Sequence, residues 1–234
     1  MSYAPVHPML GAGPVNDIMI VDTTQRFAAG QVIDAVDPYF GYGRFAYLMY
    51  PASQAVDPGR LLTVVDQTML TVDLANTANL GYPVVVARQP CPSSATAQWG
   101  WFQFEGVCPI QTANSVAAGV ACGFTTGTGA TLANGKQLLG VKVLKASTFT
   151  LTKSGGTLNG SPNLKVSNVD GLFKGLATSG TGVASGTIAS LDPSGTVVVN
   201  SGNSTATAQV TVTFTYTGFL LVHLNNPHGQ GQVV

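Results

Sequence analysis

The sequence predicts an all-β protein, and three observations support this prediction. Glu105 is the only glutamate in a chain of 234 residues, whereas Thr, Ser, Gly and Val are abundant, a composition typical of strands and turns. Short apolar or β-branched runs recur, each bounded by Gly, Pro, Asn or Asp. Some stretches alternate between apolar and polar residues. We expect a small β-barrel or sandwich, a second small β-sandwich domain inserted into it, and an extended N-terminal arm.

Residues 1–40 are expected to form the arm. This segment contains several prolines and mixed short apolar runs, and residues 18–21 (IMIV) are its strong strand candidate before Val32 and Ile33. The pattern favours a segment that lies over another surface rather than a compact unit.

Residues 41–145 and 218–234 are expected to form the first β domain. Its strand candidates are seven short runs with turn residues between them, a spacing typical of a sandwich or barrel. In WGWFQFEGV at 99–107, neither alternating face is wholly polar, which predicts a central strand covered on both sides. The seven runs are RFAYLMYP, RLLTVVDQ, MLTVDL, YPVVVARQ, WGWFQFEGVCPI, AAGVACGF and QLLGVKVL.

Residues 146–217 differ in composition and are expected to form the inserted domain. They contain few aromatic residues and many Thr, Ser and Gly. Val210, Val212, Phe214 and Tyr216 alternate with threonines, which predicts a half-buried antiparallel strand. The run FLLVHLNNP after Gly218 returns to the composition of the first domain. A simple tandem of two domains is the alternative.

The charge of the chain narrows the classes of partner. Only 9% of residues are charged and the formal net charge is zero, so no long-range field would attract the protein to nucleic acid or an anionic membrane. The sequence has no signal-peptide pattern and no apolar run of 18 residues, so we expect synthesis in a cytoplasm and no membrane span. A surface with few charges also predicts that neighbouring subunits in an assembly cover much of it.

No motif in the sequence indicates catalysis, a metal or a cofactor. The run GTGVASG at 180–186 has the spacing GxGxxxG and no surrounding βαβ pattern, so we interpret its glycines as turn residues, with the DPSG turn following at 192–195. The histidines His7, His223 and His228 do not have the spacing of a metal site. Single acidic residues flank turns, as expected for their local backbone hydrogen bonds; these are Asp34, Asp37 and Asp57. Cys91, Cys108 and Cys122 are expected to be reduced and buried.

A group of aromatic residues follows the predicted arm. It comprises Tyr39, Phe40, Tyr42, Phe45, Tyr47 and Tyr50, and Trp99 and Trp101 come later in the chain. Binding of single-stranded nucleic acid would require interleaved basic residues, and only Arg44 is nearby. Core packing or a protein interface is the interpretation that we favour, because Tyr and Trp often anchor interfaces.

Several of these motifs together resemble the decoration, cement or head-fibre proteins of tailed bacteriophages, which are small β-barrel proteins of the capsid. The inserted segment with VDGLFKGLATSGTGVASGTIASLDPSGTVVVN resembles a β module that recurs in phage virion proteins. The matching elements in the first domain are the glycine-bracketed aromatic strand (Gly41, Gly43, Phe45, Tyr47), the QWGW step (Gln98 to Trp101), the GV turn (Gly106, Val107), the AAG turn (Ala117 to Gly119) and the LLG strand (Leu138 to Gly140).

The resemblance implies a non-enzymatic virion protein on the capsid exterior, without a cofactor, that decorates and stabilises the shell. Its partners would be the major capsid protein and sister copies in a dimer or trimer. The residues expected at these interfaces are Pro5, Pro8, Pro14, Tyr39, Phe40, Tyr42, Phe45, Tyr47 and Tyr50. The alternative is a head-fibre or tail component that binds host-surface glycans through the inserted domain, and a third reading is a β-sandwich hydrolase.

Overall fold

The computed structural model describes residues 21–37, 39–66, 68, 70–133, 135–146, 148–192, 194–200 and 202–230, together with the backbone of residues 4–5. Strands dominate this part of the chain, and its helical content is a 3-10 turn at Thr77–Asn79. The all-β prediction is therefore confirmed. Backbone contacts divide the chain into two compact units: residues 3–147 with 218–234, which we call the first unit, and residues 148–217, which we call the second unit.

The first unit contains an 11-stranded sheet, and each of the seven predicted runs contains one of its strands. The strands are β1 (Ala4–Pro5), β2 (Val32–Asp37), β3 (Gly41–Met49), β4 (Leu61–Asp66), β5 (Thr71–Leu74), β6 (Val84–Ala87), β7 (Trp99–Gln111), β8 (Ala121–Thr125), β9 (Thr128–Thr131), β10 (Gln137–Lys145) and β17 (Phe219–Gln230). Their order across the sheet is β1-β2-β3-β5-β4-β6-β7-β17-β10-β8-β9.

Strand β3 closes part of this sheet into a ring. It pairs with β5 on one side and with β7 on the other, so β3, β5, β4, β6 and β7 form a closed circuit. The β3–β7 ladder runs from the Gly43–Gly106 pair to the Met49–Trp99 pair, whereas β3 meets β5 at a single parallel pair, Met49 with Thr71. A buried core lies on the inner face of the ring and includes Leu48, Leu62, Val72, Val85 and Phe102.

Strand β7 is the central strand, as the sequence predicts. It pairs with β3, β6 and β17, and the adjacent side chains of Trp101 and Phe102, which point to opposite faces, are both buried. A second core packs the outer face of the ring against β17 and its neighbours; it includes Leu61, Val86, Cys108, Ile110, Leu138 and Val222. One strand therefore contributes to both cores.

Gly106 allows β3 to lie close to β7 at the end of the β3–β7 ladder, where β7 also pairs with β17. Its φ is 95°, and a Cβ atom there would lie 2.9 Å from Gly43 Cα and closer still to the Tyr42 carbonyl oxygen. Any other residue would meet both a steric clash and an unfavourable backbone conformation.

The segment before β2 lies along β3 and β7 of the same unit. Asp22 and Trp99 exchange backbone hydrogen bonds of 2.8 and 2.9 Å, and the Phe27 ring lies 5.2 Å from the Tyr47 ring. The predicted arm spans residues 1–40, yet Val32–Asp37 form β2 within the sheet, because alternate residues of this run are buried against β3. This correction shortens the arm. Residues 18–20 lie outside the described residues, and Val21 is not part of a strand.

The second unit is a closed barrel of antiparallel strands in the order β11-β12-β15-β14-β13-β16. Its strands are β11 (Thr148–Thr157), β12 (Asn163–Val166), β13 (Ala177–Ser179), β14 (Gly186–Leu191), β15 (Thr196–Val199) and β16 (Ala208–Thr217). The predicted alternation in β16 is confirmed, since Val212, Phe214 and Tyr216 are buried while the intervening threonines are partly or fully exposed. Phe149 stacks on Tyr216 in the core, with ring centroids 4.2 Å apart.

The glycine-rich run of the second unit forms turns, as predicted. Gly180 and Gly182 lie between β13 and β14, where the Val183 amide donates to the Gly180 carbonyl oxygen at 3.2 Å. The next turn is closed by the Gly195 amide, which donates to the Asp192 carbonyl oxygen at 2.9 Å. The run therefore connects short strands.

We predict that the second unit folds independently. Thr148 and Thr217, at its two ends, are directly paired, and unit excision is tolerated where the ends lie close together. Residues 148–217 expressed alone should give a strand-type circular dichroism spectrum and one cooperative thermal transition. The remaining chain, with a short Gly-Ser linker joining Ala146 to Gly218, should do the same. Non-cooperative melting of either piece would contradict this prediction.

We also predict that Gly106→Ala destabilises the protein far more than Gly41→Ala. Both glycines have positive φ, but the space around Gly41 is open. The Gly41 variant should therefore show only backbone strain, about 1 kcal/mol, whereas the Gly106 variant adds overpacking and should lose about 2–5 kcal/mol of unfolding free energy. Urea denaturation measures both, and equal losses would show that the close approach at Gly106 is unimportant.

Candidate protein interface

The hairpin between β2 and β3 carries a cluster of exposed apolar and aromatic side chains. Val36, Tyr39 and Tyr42 are 38%, 39% and 46% exposed, and Val36 pairs directly with Tyr42 across the hairpin. We call these three residues the hairpin patch. Exposed tyrosines with an apolar neighbour are typical of the anchors of protein interfaces.

Asp37 shapes the turn that presents the patch. One of its carboxylate oxygens, Oδ1, accepts hydrogen bonds from the backbone amides of Tyr39 and Phe40, at 2.7 and 3.0 Å. Gly41, with a φ of 84°, then begins β3 opposite Asp37. The local hydrogen bonding that the sequence predicts for this aspartate is confirmed, and it holds the backbone of Tyr39 in place.

Asp37 also forms a buried ion pair, which connects this turn to the core. Asp37 Oδ2 lies 3.4 Å from Arg88 Nη2, and the two side chains are only 3% and 2% exposed. Arg88 also donates to Gln103 Oε1 and lies over the Phe40 ring, with its Cζ atom 5.3 Å from the ring centroid. The buried charges are thus paired, and they link the turn to β6 and β7.

Gln103 extends this buried network along β7. Its Nε2 atom donates to the backbone carbonyl oxygens of Glu105 and Val107, at 3.0 and 3.2 Å. The side-chain amide therefore uses its oxygen for Arg88 and its nitrogen for the backbone near Gly106, where β7 pairs with both β3 and β17. The network is well satisfied, which favours a rigid local structure.

A second, more exposed charge network flanks the patch on the strands. Arg44 contacts Asp34 and Glu105 at 3.1 and 3.2 Å, and the Tyr42 hydroxyl donates to Asp34 Oδ1 at 3.0 Å. The hydrogen bond to Glu105 raises the pKa of Arg44, and desolvation together with the hydrogen bond to Asp34 raises the pKa of Tyr42. Tyr42 therefore stays neutral at physiological pH and is held in one orientation.

Only part of the predicted interface set is available for contact with another molecule. Phe40, Phe45, Tyr47 and Tyr50 are buried within the chain, and only Phe45 and Tyr47 belong to β3. Tyr50, for example, packs on Phe102 with ring centroids 4.6 Å apart. These four residues therefore contribute to core packing, the other interpretation of the aromatic group. Of the predicted interface residues whose side chains are described, Tyr39 and Tyr42 are exposed.

The three prolines that are predicted to lie at the interface, Pro5, Pro8 and Pro14, are not tested by the structure. Pro5 lies in β1, of which the backbone is described. Pro8 and Pro14 lie outside the described residues.

The buried Tyr47 anchors the segment before β2 instead. Its hydroxyl donates to Asp22 Oδ2 at 2.7 Å and accepts from the Arg26 amide at 3.2 Å. Burial raises the pKa of Tyr47, so the phenol remains protonated as the donor to Asp22. Arg26 Nη1 contacts the same carboxylate at 3.3 Å. Neither Asp22 nor Arg26 stands out in the sequence, because their contact with Tyr47 joins positions that are far apart in the chain.

The cysteines are free and buried, as predicted. Burial raises the pKa of Cys91 to about 11, of Cys108 to about 12 and of Cys122 to about 11, so each thiol is protonated at neutral pH and is a poor nucleophile. Within the described ranges, no group of three or more His, Cys, Asp or Glu side chains could hold a metal ion. The described helical segments include none that is long and apolar enough to cross a membrane.

Comparisons with protein-family models, with curated proteins and with solved structures find no match for this chain.

We predict that Arg88→Met destabilises the protein by about 3–5 kcal/mol, because the carboxylate of Asp37 is left buried without its partner. The double variant Asp37→Asn with Arg88→Met should be more stable than Arg88→Met alone, since it removes the uncompensated charge. Urea denaturation of the two variants and of Asp37→Asn alone completes the cycle. A loss below about 1 kcal/mol for Arg88→Met would contradict a structural role for the pair.

Proposed function

We propose that this protein is a non-enzymatic structural component of a bacteriophage virion that decorates and stabilises the capsid. The observation on which the proposal depends is the hairpin patch, in which Tyr39 and Tyr42 are exposed on a hairpin whose turn contains one partner of a buried ion pair. The resemblance of the sequence to phage decoration proteins is the reason why we propose a capsid as the partner.

The rigidity of the turn supports a binding role. Association costs free energy for every side chain and loop that must be ordered, about 0.5–1.5 kcal/mol for each flexible side chain. The amide hydrogen bonds to Asp37 and the hydrogen bond between Tyr42 and Asp34 remove part of this cost before a partner arrives. Two preorganised tyrosines are suitable anchors at the centre of an interface.

The charge around the patch supports a partner surface of low charge. Arg44 lies between Asp34 and Glu105, so one of the two negative charges beside Tyr42 is compensated and a net charge of −1 remains. A capsid subunit or a sister copy with a polar, weakly charged face fits this environment better than a polyanion such as nucleic acid. Each contact need not be strong, because a shell repeats the same surface many times and multivalency strengthens the attachment of an oligomer.

The alternative role, glycan binding through the second unit, receives less support from the side chains. Sugar recognition by stacking requires an exposed aromatic ring. The four rings of residues 148–217 are all buried in the barrel core; they are Phe149, Phe173, Phe214 and Tyr216. We therefore keep the capsid role as the proposed function.

We predict that the double variant Tyr39→Ala with Tyr42→Ala binds capsids at least 30-fold more weakly than the wild-type protein, since two interface anchors contribute about 2 kcal/mol or more. The measurement is co-sedimentation of purified protein with shells that lack it. Tyr82→Ala is the matched control, because Tyr82 is also 39% exposed but lies outside the patch, and it should bind like the wild type.

A second readout tests the stabilising role. Particles without the protein should lose heat or osmotic stability, and addition of the wild-type protein should restore it. The proposal is wrong if the double variant binds as tightly as the wild type, or if particle stability does not depend on the protein.

A further inference from the structure

A cavity of about 720 Å³ opens beside the seam of the five-strand ring. The seam is weak there, because β3 and β5 share one parallel pair, and the Met49 amide donates to the Leu70 carbonyl oxygen at 3.1 Å. The cavity reaches Leu48, Val64 and Val85, which belong to the core on the inner face of the ring. We call this space the seam cavity. Its walls include Ala46, Leu48, Val64, Leu70, Val85 and Phe104.

The described lining of the seam cavity suits an uncharged, apolar molecule. It contains no Asp, Glu, Lys or Arg, and its polar residues are Asn226 and His228, both in β17. A charged group that entered this space would lose its hydration without gaining a partner of opposite charge. The volume falls within the range of about 300–1,000 Å³ that is usual for small-molecule sites.

The walls of the seam cavity are held open by the backbone. The Val64 amide donates to the Pro83 carbonyl oxygen at 3.0 Å, and the Gly81 amide donates to the Gly229 carbonyl oxygen at 2.8 Å. The amide of Gly30, another lining residue, donates to the Tyr47 carbonyl oxygen at 2.8 Å. These hydrogen bonds join the loops of the rim to neighbouring strands, so the space is preformed.

Backbone strain is concentrated at the rim of the cavity. Leu70 and Asn226 have φ angles of 52° and 45°, and they are two of the three described non-glycine residues with positive φ. Each costs about 1–3 kcal/mol, and such residues cluster at ligand sites because the surrounding structure must hold them for a function. Both line the seam cavity.

We propose that the seam cavity binds an uncharged apolar small molecule. The body of the ligand would lie against Leu48, Val85 and Phe104, and a hydroxyl or carbonyl group of the ligand would lie near Asn226 and His228. This binding site is separate from the hairpin patch and does not depend on the capsid role.

A pair of related fluorescent probes tests the chemical class of the ligand. N-phenyl-1-naphthylamine is uncharged, and 1-anilinonaphthalene-8-sulfonate has the same rings with an added sulfonate. We expect saturable binding of the uncharged probe at one site per chain, with a dissociation constant on the order of 10 µM. The sulfonate should bind at least 10-fold more weakly. No saturable binding of the uncharged probe, or equal affinity for both, would overturn the proposal.

A filling variant tests the location. Ala46→Phe places a ring in the seam cavity and should weaken binding of the uncharged probe at least 10-fold. Ala177→Phe in β13 is the matched control, because Ala177 is also a half-buried strand alanine, and it should bind like the wild type. Thermal melting verifies that each variant folds, and the probe pair on the wild-type chain remains decisive if Ala46→Phe does not. Unchanged affinity in folded Ala46→Phe would overturn the assignment.

The double variant Tyr39→Ala with Tyr42→Ala distinguishes this proposal from the capsid role. It should retain binding of the uncharged probe even where it no longer binds capsids. Loss of probe binding in this variant would place the probe at the hairpin patch and overturn the assignment to the seam cavity.

Discussion

The buried pair of Asp37 and Arg88 is the interaction on which the organisation of the first unit depends. Asp37 ends β2, Arg88 follows β6, and Gln103 on β7 completes the network, so three separate elements meet at one polar centre. Such a centre is costly to bury and strongly destabilising to break. Its geometry therefore determines where the β2–β3 hairpin lies relative to the central strand.

The same centre connects stability to the proposed function. One carboxylate oxygen of Asp37 contacts Arg88, and the other accepts hydrogen bonds from the backbone amides of the turn. Tyr39 in the turn and Tyr42 at the start of β3 are thus presented by a hairpin that this buried centre holds in place. A protein that stabilises an assembly through repeated contacts benefits from such preorganisation, because less conformational entropy is lost at each contact.

The ring of the first unit explains why an interface and a cavity can coexist in one small fold. Strand β3 closes the ring firmly against β7 but meets β5 at a single pair. The edge of β3 opposite β7 pairs with β2, which carries Val36 of the hairpin patch, and meets β5 at the seam beside the cavity. Gly106 is important for both, since it lets β3 lie close enough to β7 for the ring to close.

The sequence by itself determined the all-β class, the positions of the strands in the seven runs and the burial pattern of β16, because these depend on local propensity and on alternation along one strand. It also indicated the turn at Asp37, whose hydrogen bonds are local. Only the tertiary structure decided which aromatic residues are exposed, since burial of Tyr47 and exposure of Tyr42 depend on strand pairing between distant segments. The partnership of Asp37 with Arg88, 51 residues away, and the open seam at Met49 are likewise long-range results, which no local pattern contains.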